Sequence, residues 1–257
     1  MREHRALNRI LEPGGITSLY QPIMHVDGAT RLAGFECLSR GPKGTNFESA
    51  KVMFEYVRLK REETLVDRAC VAAALASAPR AALSGDPSLR FTINVHASTL
   101  GRDHDFPDFV CEAASANGIT CEQLTVEIVE HAPPWDSLGF AAALDRLRNT
   151  GMRISLDDVG LGQSNFKMIL DVRPDFLKLD RYFVDSCHTD PNRQAVIEAV
   201  ANLAAHFDAH VIAEGVDTDE VAEVLQKYGV RLMQGYLFAE PLDAENARAF
   251  AEEKPRE

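Results

Sequence analysis

Two adjacent carboxylates, Asp157-Asp158, close a short apolar run and form the sharpest chemical signal in the chain. Side by side they repel, and holding both ionised near further acids requires cations. Candidate companions end other short apolar runs: Gln21, Glu36, Asn94, Glu127, Glu214 and Gln234. Carboxylate and amide oxygens, with no sulfur or imidazole among them, suit Mg²⁺ or Mn²⁺ rather than zinc or copper. Lys178, between Leu177 and Leu179, is expensive to bury unless those acids pair with it. It reads either as a structural salt bridge or as a proton-handling group beside an attacking water. A single Asp-Asp pair is most simply a solvated turn or cap. Four runs aiming carboxylates at one place favour a site.

Such residues act together only if a fold gathers them. From the third run onward, helix-like segments separate the apolar runs, the rhythm of a parallel sheet with crossover helices. In a closed barrel of that kind the strand ends converge on one mouth. The phase agrees: Thr92 with Asn94, Thr125 with Glu127 and Ser155 with Asp157 each share an inward face, leaving Phe91, Ile93, Val126 and Leu156 for the helices. The first two runs, 18–24 and 31–38, are joined by a turn too short for a helix, so they should pair antiparallel. The expected fold is α/β, a modified (β/α)8 TIM-like barrel with an antiparallel strand pair at its start. Helices are expected over 46–60 and 62–78, with stops at Asn117-Gly118, Thr150-Gly151 and Tyr228-Gly229. Asp190-Pro191 should open another, and Asp217 with Glu220 a further one.

Bulk properties set the frame. A length of 257 residues with 46% hydrophobic side chains suits one domain, 1–257, with a core of about 18–242. No apolar run is long enough for a signal peptide or a bilayer span. Five cysteines without a C-x-x-C favour reduced thiols and a cytoplasmic setting. A formal charge of −12 argues against a polynucleotide partner. It does not exclude a small anionic ligand, since bound cations can reverse the sign of a pocket.

The runs also carry recognisable motifs: Gln21-Pro22-Ile23, Glu36-Cys37-Leu38-Ser39-Arg40, Asn94, Glu127-Ile128-Val129-Glu130, Asp157-Asp158-Val159-Gly160, Asp175-Phe176-Leu177-Lys178-Leu179-Asp180, Ala213-Glu214-Gly215-Val216 and Gln234-Gly235-Tyr236-Leu237-Phe238 before Pro241. In this order they resemble EAL domains, the cyclic di-GMP phosphodiesterases, with Cys37 in place of the small central residue of the Glu-Ala-Leu motif. The resemblance implies that Glu36, Asn94, Glu127 and Asp157 bind one metal ion, and that Asp157 bridges to a second held by Asp158. Lys178 would orient or deprotonate the attacking water, and Glu214 and Gln234 would complete the shell of water and metal. Arg40 would contact a ligand phosphate, with Gln21 and Pro241 also on the substrate side. Glu130 would brace the loop after Asp158, with Asp217 as further support. The implied reaction is hydrolysis of cyclic di-GMP to linear pGpG by a homodimer using two Mg²⁺ or Mn²⁺ ions per site. Two ions can activate a water and stabilise entering and leaving oxygens together.

Departures from the family cluster in 159–165, where Val159, Leu161 and Gln163 replace an aromatic, a small or hydroxyl residue and a tyrosine. Asp217 stands where the family tends to have Glu. These changes bear on rate and dimer coupling more than on reaction type. Two other readings stand beside the hydrolase: a catalytically weak or silent cyclic di-GMP receptor, and a Schiff-base enzyme acting through Lys178. The acid cluster argues against the latter. His96 and His131 are expected to line the mouth, Trp135 to pack at a loop–helix junction, and Met24, Met152, Met168 and Met233 to fill the core.

Overall fold

The computed structural model describes residues 2–78, 89–129, 137–160 and 166–253. Eight strands close into a barrel in chain order: β1 Thr17–Asp27, β2 Ala29–Arg40, β3 Arg90–His96, β4 Leu124–Val129, β5 Arg153–Val159, β6 Phe176–Leu179, β7 His210–Ala213 and β8 Leu232–Met233. Strands β2 to β8 run parallel, and β1 is antiparallel to both of its neighbours, β2 and β8. The expected hairpin is present. Gly28 alone separates its strands, at φ 68°, a left-handed conformation that glycine adopts without steric cost.

Most helix boundaries follow the sequence cues. Helices end at Ala116, Asn149 and Lys227, and Gly118, Gly151 and Gly229 follow at φ 71°, 88° and 82°. Asp190 caps the helix Pro191–His206, accepting from Asn192 N at 2.9 Å. Two expectations are corrected. The helix expected over 46–60 is split into a 3-10 turn, Asn46–Glu48, and the helix Ala50–Lys60. Asp217 does not open the helix Asp219–Lys227. Thr218 caps it instead, in extended backbone, accepting from Val221 N at 3.4 Å, which leaves Asp217 one residue too early.

The period of two divides the core. Outward-facing Phe91, Ile93, Val126, Ile154 and Leu156 are buried beneath the helices in the main cluster, each contributing about 1.5–3 kcal/mol by burial. Inside the barrel, Ile23, Phe176 and Ile212 form a separate plug with Leu232 packed against it. Thr92, Thr125 and Ser155, on the inward faces of β3, β4 and β5, are buried as well. The four expected core methionines are buried. All five cysteines are free, and the Cys111 and Cys121 sulfurs lie 2.9 Å apart.

Candidate active site

Above the plug, the inward ladders of several strands arrive at one height. Asn94 of β3 is in register with Glu127 of β4, which is in register with Ser155 of β5. Asn94 Nδ2 donates to Glu36 Oε1 at 3.1 Å, and Gln234 Nε2 donates to Glu36 Oε2 at 2.7 Å and to Gln21 Oε1 at 2.9 Å. Residues 213 positions apart thus share one hydrogen-bond chain.

Lys178 is fully buried at the centre of the carboxylates. Its Nζ lies 2.8 Å from Glu127 Oε1, 3.1 Å from Glu36 Oε2 and 3.7 Å from Asp157 Oδ1, and also contacts Glu214 Oε1. Four carboxylates face one ammonium. If all ionise, three negative charges remain uncompensated.

The consequences differ by residue. Burial pushes the Glu36 carboxyl up, but Lys178 and the bonds from Gln234 and Asn94 outweigh it and hold it below the usual range. Burial, only partly countered by Lys178 and reinforced by Glu36 and Asp157, drives Glu127 well above that range. Burial likewise raises Glu214 to about 7, against the pull of Lys178. Lys178 pays for burial but is held well above its ordinary value by Glu127, Glu214, Glu36 and Asp157. The lysine is a firm cation. The acids around it are frustrated.

The Asp157-Asp158 pair is aimed by a bulge. Register between β5 and β6 shifts between Leu156 and Val159, and Asp158 takes φ 50°. A regular strand would send successive side chains to opposite faces. Asp158 is set apart from the Lys178 ring. Burial, then Asp157 and Asp180, raises its carboxyl to about 6, and it shares a hydrogen bond with Asp180.

The donor set fits hard divalent cations. It consists of carboxylate and amide oxygens, it is acidic beyond what Lys178 neutralises, and Glu127 Oε2 is buried without a hydrogen-bond partner. As the side chains stand, no three Asp, Glu, His or Cys groups among the described residues are gathered as a ready metal cage. The Lys178 ammonium holds the middle place.

Two cavities flank this centre and share Glu36, Leu38 and Asp157. The larger, ≈ 370 Å³, is also lined by Gln21, Arg181, Asp217 and Tyr236. The smaller, ≈ 180 Å³, is lined by Arg40, Asn94, His96 and Phe54. Arg40 Nη1 donates to its neighbour's carbonyl, Ser39 O, at 2.9 Å. Pro241 lines neither cavity and immediately precedes Leu242, which bridges to Tyr20. Glu130, His131, Trp135 and the loop 161–165 lie outside the described residues. Tyr236 stands inside the Gln234–Phe238 motif without a role assigned to it, and Arg181 lies one residue beyond the motif that ends at Asp180; their signal was position, each just past a strand end. Asp67 was missed too. It bonds His96 N at 3.0 Å, His96 Nδ1 at 2.8 Å and Thr99 Oγ1 at 2.6 Å, tying the end of β3 to the helix Ala97–Arg102 that follows.

A closed barrel with one reversed strand and an acidic, lysine-centred mouth is the architecture of a known family. Residues 4–241 match the EAL domain model, and the chain belongs to that family. The cyclic di-GMP phosphodiesterase PA2567 of Pseudomonas aeruginosa is 34% identical over 154 residues, 60% of this chain and 26% of that protein. The manganese and cyclic di-GMP complex of Klebsiella pneumoniae BlrP1 superposes with a TM-score of 0.79 at 28% identity, over 91% of this chain and 58% of that one. A standalone EAL protein from Vibrio cholerae O395, bound to c-di-GMP, gives 0.77 at 26% identity, over 89% of this chain and 93% of that one. The chain spans between 19% and 26% of the length of the first curated relatives it matches. Among the described residues, no helix is long and apolar enough to cross a membrane.

Proposed function

We propose that this chain is a phosphodiesterase that hydrolyses cyclic di-GMP to linear pGpG with two divalent ions, Mg²⁺ or Mn²⁺. The observation that carries the reading is the ring of Glu36, Glu127, Asp157 and Glu214 around Lys178, with Asn94 beside it. Glu36, Asn94, Glu127 and Asp157 would hold one ion and Asp158 the second. The ions would supply charge stabilisation for a phosphodiester that an acidic mouth alone repels.

The remaining roles belong to the chain itself. Asn94 commits its amide nitrogen to Glu36 and to the Cys37 carbonyl, which leaves its oxygen for a cation. Gln234 fixes Glu36 and Gln21 together. Lys178, with N–H donors and no acceptor, would orient the attacking water among the carboxylates. The two cavities meeting at Glu36 and Asp157 would take the two nucleotide halves, with Arg40 on one side and Gln21 and Pro241 on the other. Glu130 and Asp217 would support the loop beyond Asp158. A homodimer and a cytoplasmic setting belong to the same reading.

The test is incubation of the purified chain with cyclic di-GMP and Mg²⁺ or Mn²⁺, with pGpG followed by chromatography. Hydrolysis that stops in EDTA supports the proposal; undiminished turnover in excess chelator rejects it. The central position of Lys178 favours a second reading, a receptor that binds the nucleotide through a closed acid–lysine network. That reading predicts saturable cyclic di-GMP binding without pGpG in either metal.

A further inference from the structure

Below the plug, the barrel reverses its charge. The inward ladder of β3 runs Arg90, Thr92, Asn94, and that of β5 runs Arg153, Ser155, Asp157. The ladder of β7 runs His210, Ile212 and, just past the strand, Glu214. Each has a basic foot, a neutral middle and an oxygen donor at the top, because side chains two apart share a face. His25 of β1 and Arg231, immediately before β8, join the foot. Together these side chains line a cavity of ≈ 940 Å³, with Phe176 of the plug on its wall.

Two of the three arginines of the foot, Arg90 and Arg153, have no ion pair among the described residues. Among the described residues, Arg153 has neither an ion pair nor a hydrogen bond, and its guanidinium lies 5.8 Å from the Phe176 ring centroid. Among the described residues, Arg90 donates only to the Glu122 backbone carbonyl. Burial, then the like charge of Arg153, pushes the Arg90 guanidinium down, with Asp175 opposing. The Asp175 carboxylate is itself engaged, accepting from Ile154 N at 2.8 Å. Arg231 Nε stands 4.0 Å from Asp27 Oδ1, an exposed pair that is worth little. Among the described residues, Asp208 is the only acid on the cavity wall. This excess of cations stands in a chain of net charge −12.

We propose that this lower mouth is a second binding site, which takes the phosphate group of a small molecule between Arg90 and Arg153, with His210 and Arg231 at its rim. Guanidinium groups bind phosphate oxygens in bidentate fashion, and two fixed positive charges match a doubly charged phosphate better than a carboxylate. An oxyanion between the two arginines removes the repulsion that their proximity creates. The cavity is roomier than bare phosphate requires, so it admits a small organic phosphate. The inference rests on the fold and is independent of what the upper mouth catalyses.

The test is calorimetric titration of the full chain with inorganic phosphate, pyrophosphate and GMP, at low ionic strength in excess EDTA. The chelator keeps divalent ions from bridging an anion to the upper mouth. Saturable binding is expected, weakened at least about tenfold by Arg153→Gln or Arg90→Gln and unchanged by Glu214→Gln. Sodium chloride at equal ionic strength should not reproduce it. Without anion, Arg153→Gln should raise the melting temperature by relieving repulsion, while abolishing the upward shift that phosphate gives the native chain. A merely structural arginine predicts a lower melting temperature in both conditions. Absence of saturable binding at millimolar phosphate, or binding indifferent to both variants, overturns the proposal. If Arg90→Gln fails to fold, Arg153→Gln decides alone.

Discussion

Lys178 on β6 and Glu127 on β4 meet at 2.8 Å inside the barrel, two strands apart and both buried. The ammonium reaches past β5 to a carboxylate whose second oxygen, Oε2, has no hydrogen-bond partner. The contact pairs one acid with the ammonium and leaves the neighbouring carboxylates in excess of the charge that Lys178 supplies.

Removing that ammonium should separate chemistry from architecture. Lys178→Met is expected to reduce cyclic di-GMP turnover by about 10²–10⁴-fold, the range for a group acting on the reacting water. In chelator, the loss of a buried partner should also destabilise the protein by about 3–5 kcal/mol. Added Mn²⁺ should restore much of that stability without restoring turnover. Denaturant titrations with and without metal, beside single-turnover assays, check both halves.

The pH dependence follows from Glu214, whose carboxyl is raised to about 7 by burial. In the folded state it keeps a proton that the unfolded chain has already lost. The stability it contributes is therefore full below the ordinary carboxylate pKa and is lost as pH rises through 7. Metal binding must displace that proton, so apparent Mn²⁺ affinity should climb between pH 6 and about pH 7.5. Glu214→Gln should flatten the metal-free stability profile over this window, as melting curves at fixed ionic strength would show.

Asp157 and Asp158 should not be equivalent. Asp157 faces the Lys178 ring at 3.7 Å, whereas Asp158 is turned toward Asp180. Asp157→Asn is expected to cost more turnover than Asp158→Asn, by about tenfold or more. Excess metal should partly rescue the second variant only. An equal loss in both, measured over a metal titration, would contradict the assignment of a bridging role to Asp157.

The Asp67 network makes a purely structural prediction. Its carboxylate bonds the backbone and ring of His96, the last residue of β3 and two beyond Asn94, and Thr99 of the helix Ala97–Arg102 that follows. Asp67→Ala should lower stability by about 3–5 kcal/mol by leaving His96 without its buried partner. Burial works against a charged His96, but Asp67 raises its pKa overall, so the loss should be larger at low pH and shrink as pH rises through the folded His96 value.

Val159 tests whether the altered loop can be returned to the family pattern. It is buried in the main core and pairs with Leu179 on β6. Val159→Phe is expected to overpack this position, costing about 1–3 kcal/mol. The effect should appear in the denaturation midpoint, with no gain in turnover.

Much of this was legible in the order of residues. Strand phase is a local property, because alternation forces Asn94, Glu127 and Asp157 to the same side as Thr92, Thr125 and Ser155. Turn and cap chemistry is local as well, so Gly118, Gly151, Gly229 and Asp190 marked their boundaries correctly. The antiparallel start followed from a connection too short for a helix. Other features depended on distance in space. Whether Thr218 or Asp217 caps the helix is set by where the chain leaves β7. Asp67 reads in the sequence as one acid on an apolar helix, and only the packing of that helix against β3 brings it to His96. The bulge that turns both Asp157 and Asp158 is a matter of pairing with β6, which no single strand contains.

The sequence by itself determined the period, the polar tips and the family motifs, since these are fixed by neighbours along the chain. Tertiary structure alone decided the energetics of the mouth. Charges that look interchangeable as letters differ once closure sets their separations and burial. Against the upward push of burial, Glu36 is held below the usual carboxylate range by Lys178, Gln234 and Asn94, Glu214 is raised to about 7, and Lys178 stands among them as the buried cation of that ring. Coulomb energy depends on distances and local dielectric, and both exist only after the barrel has closed.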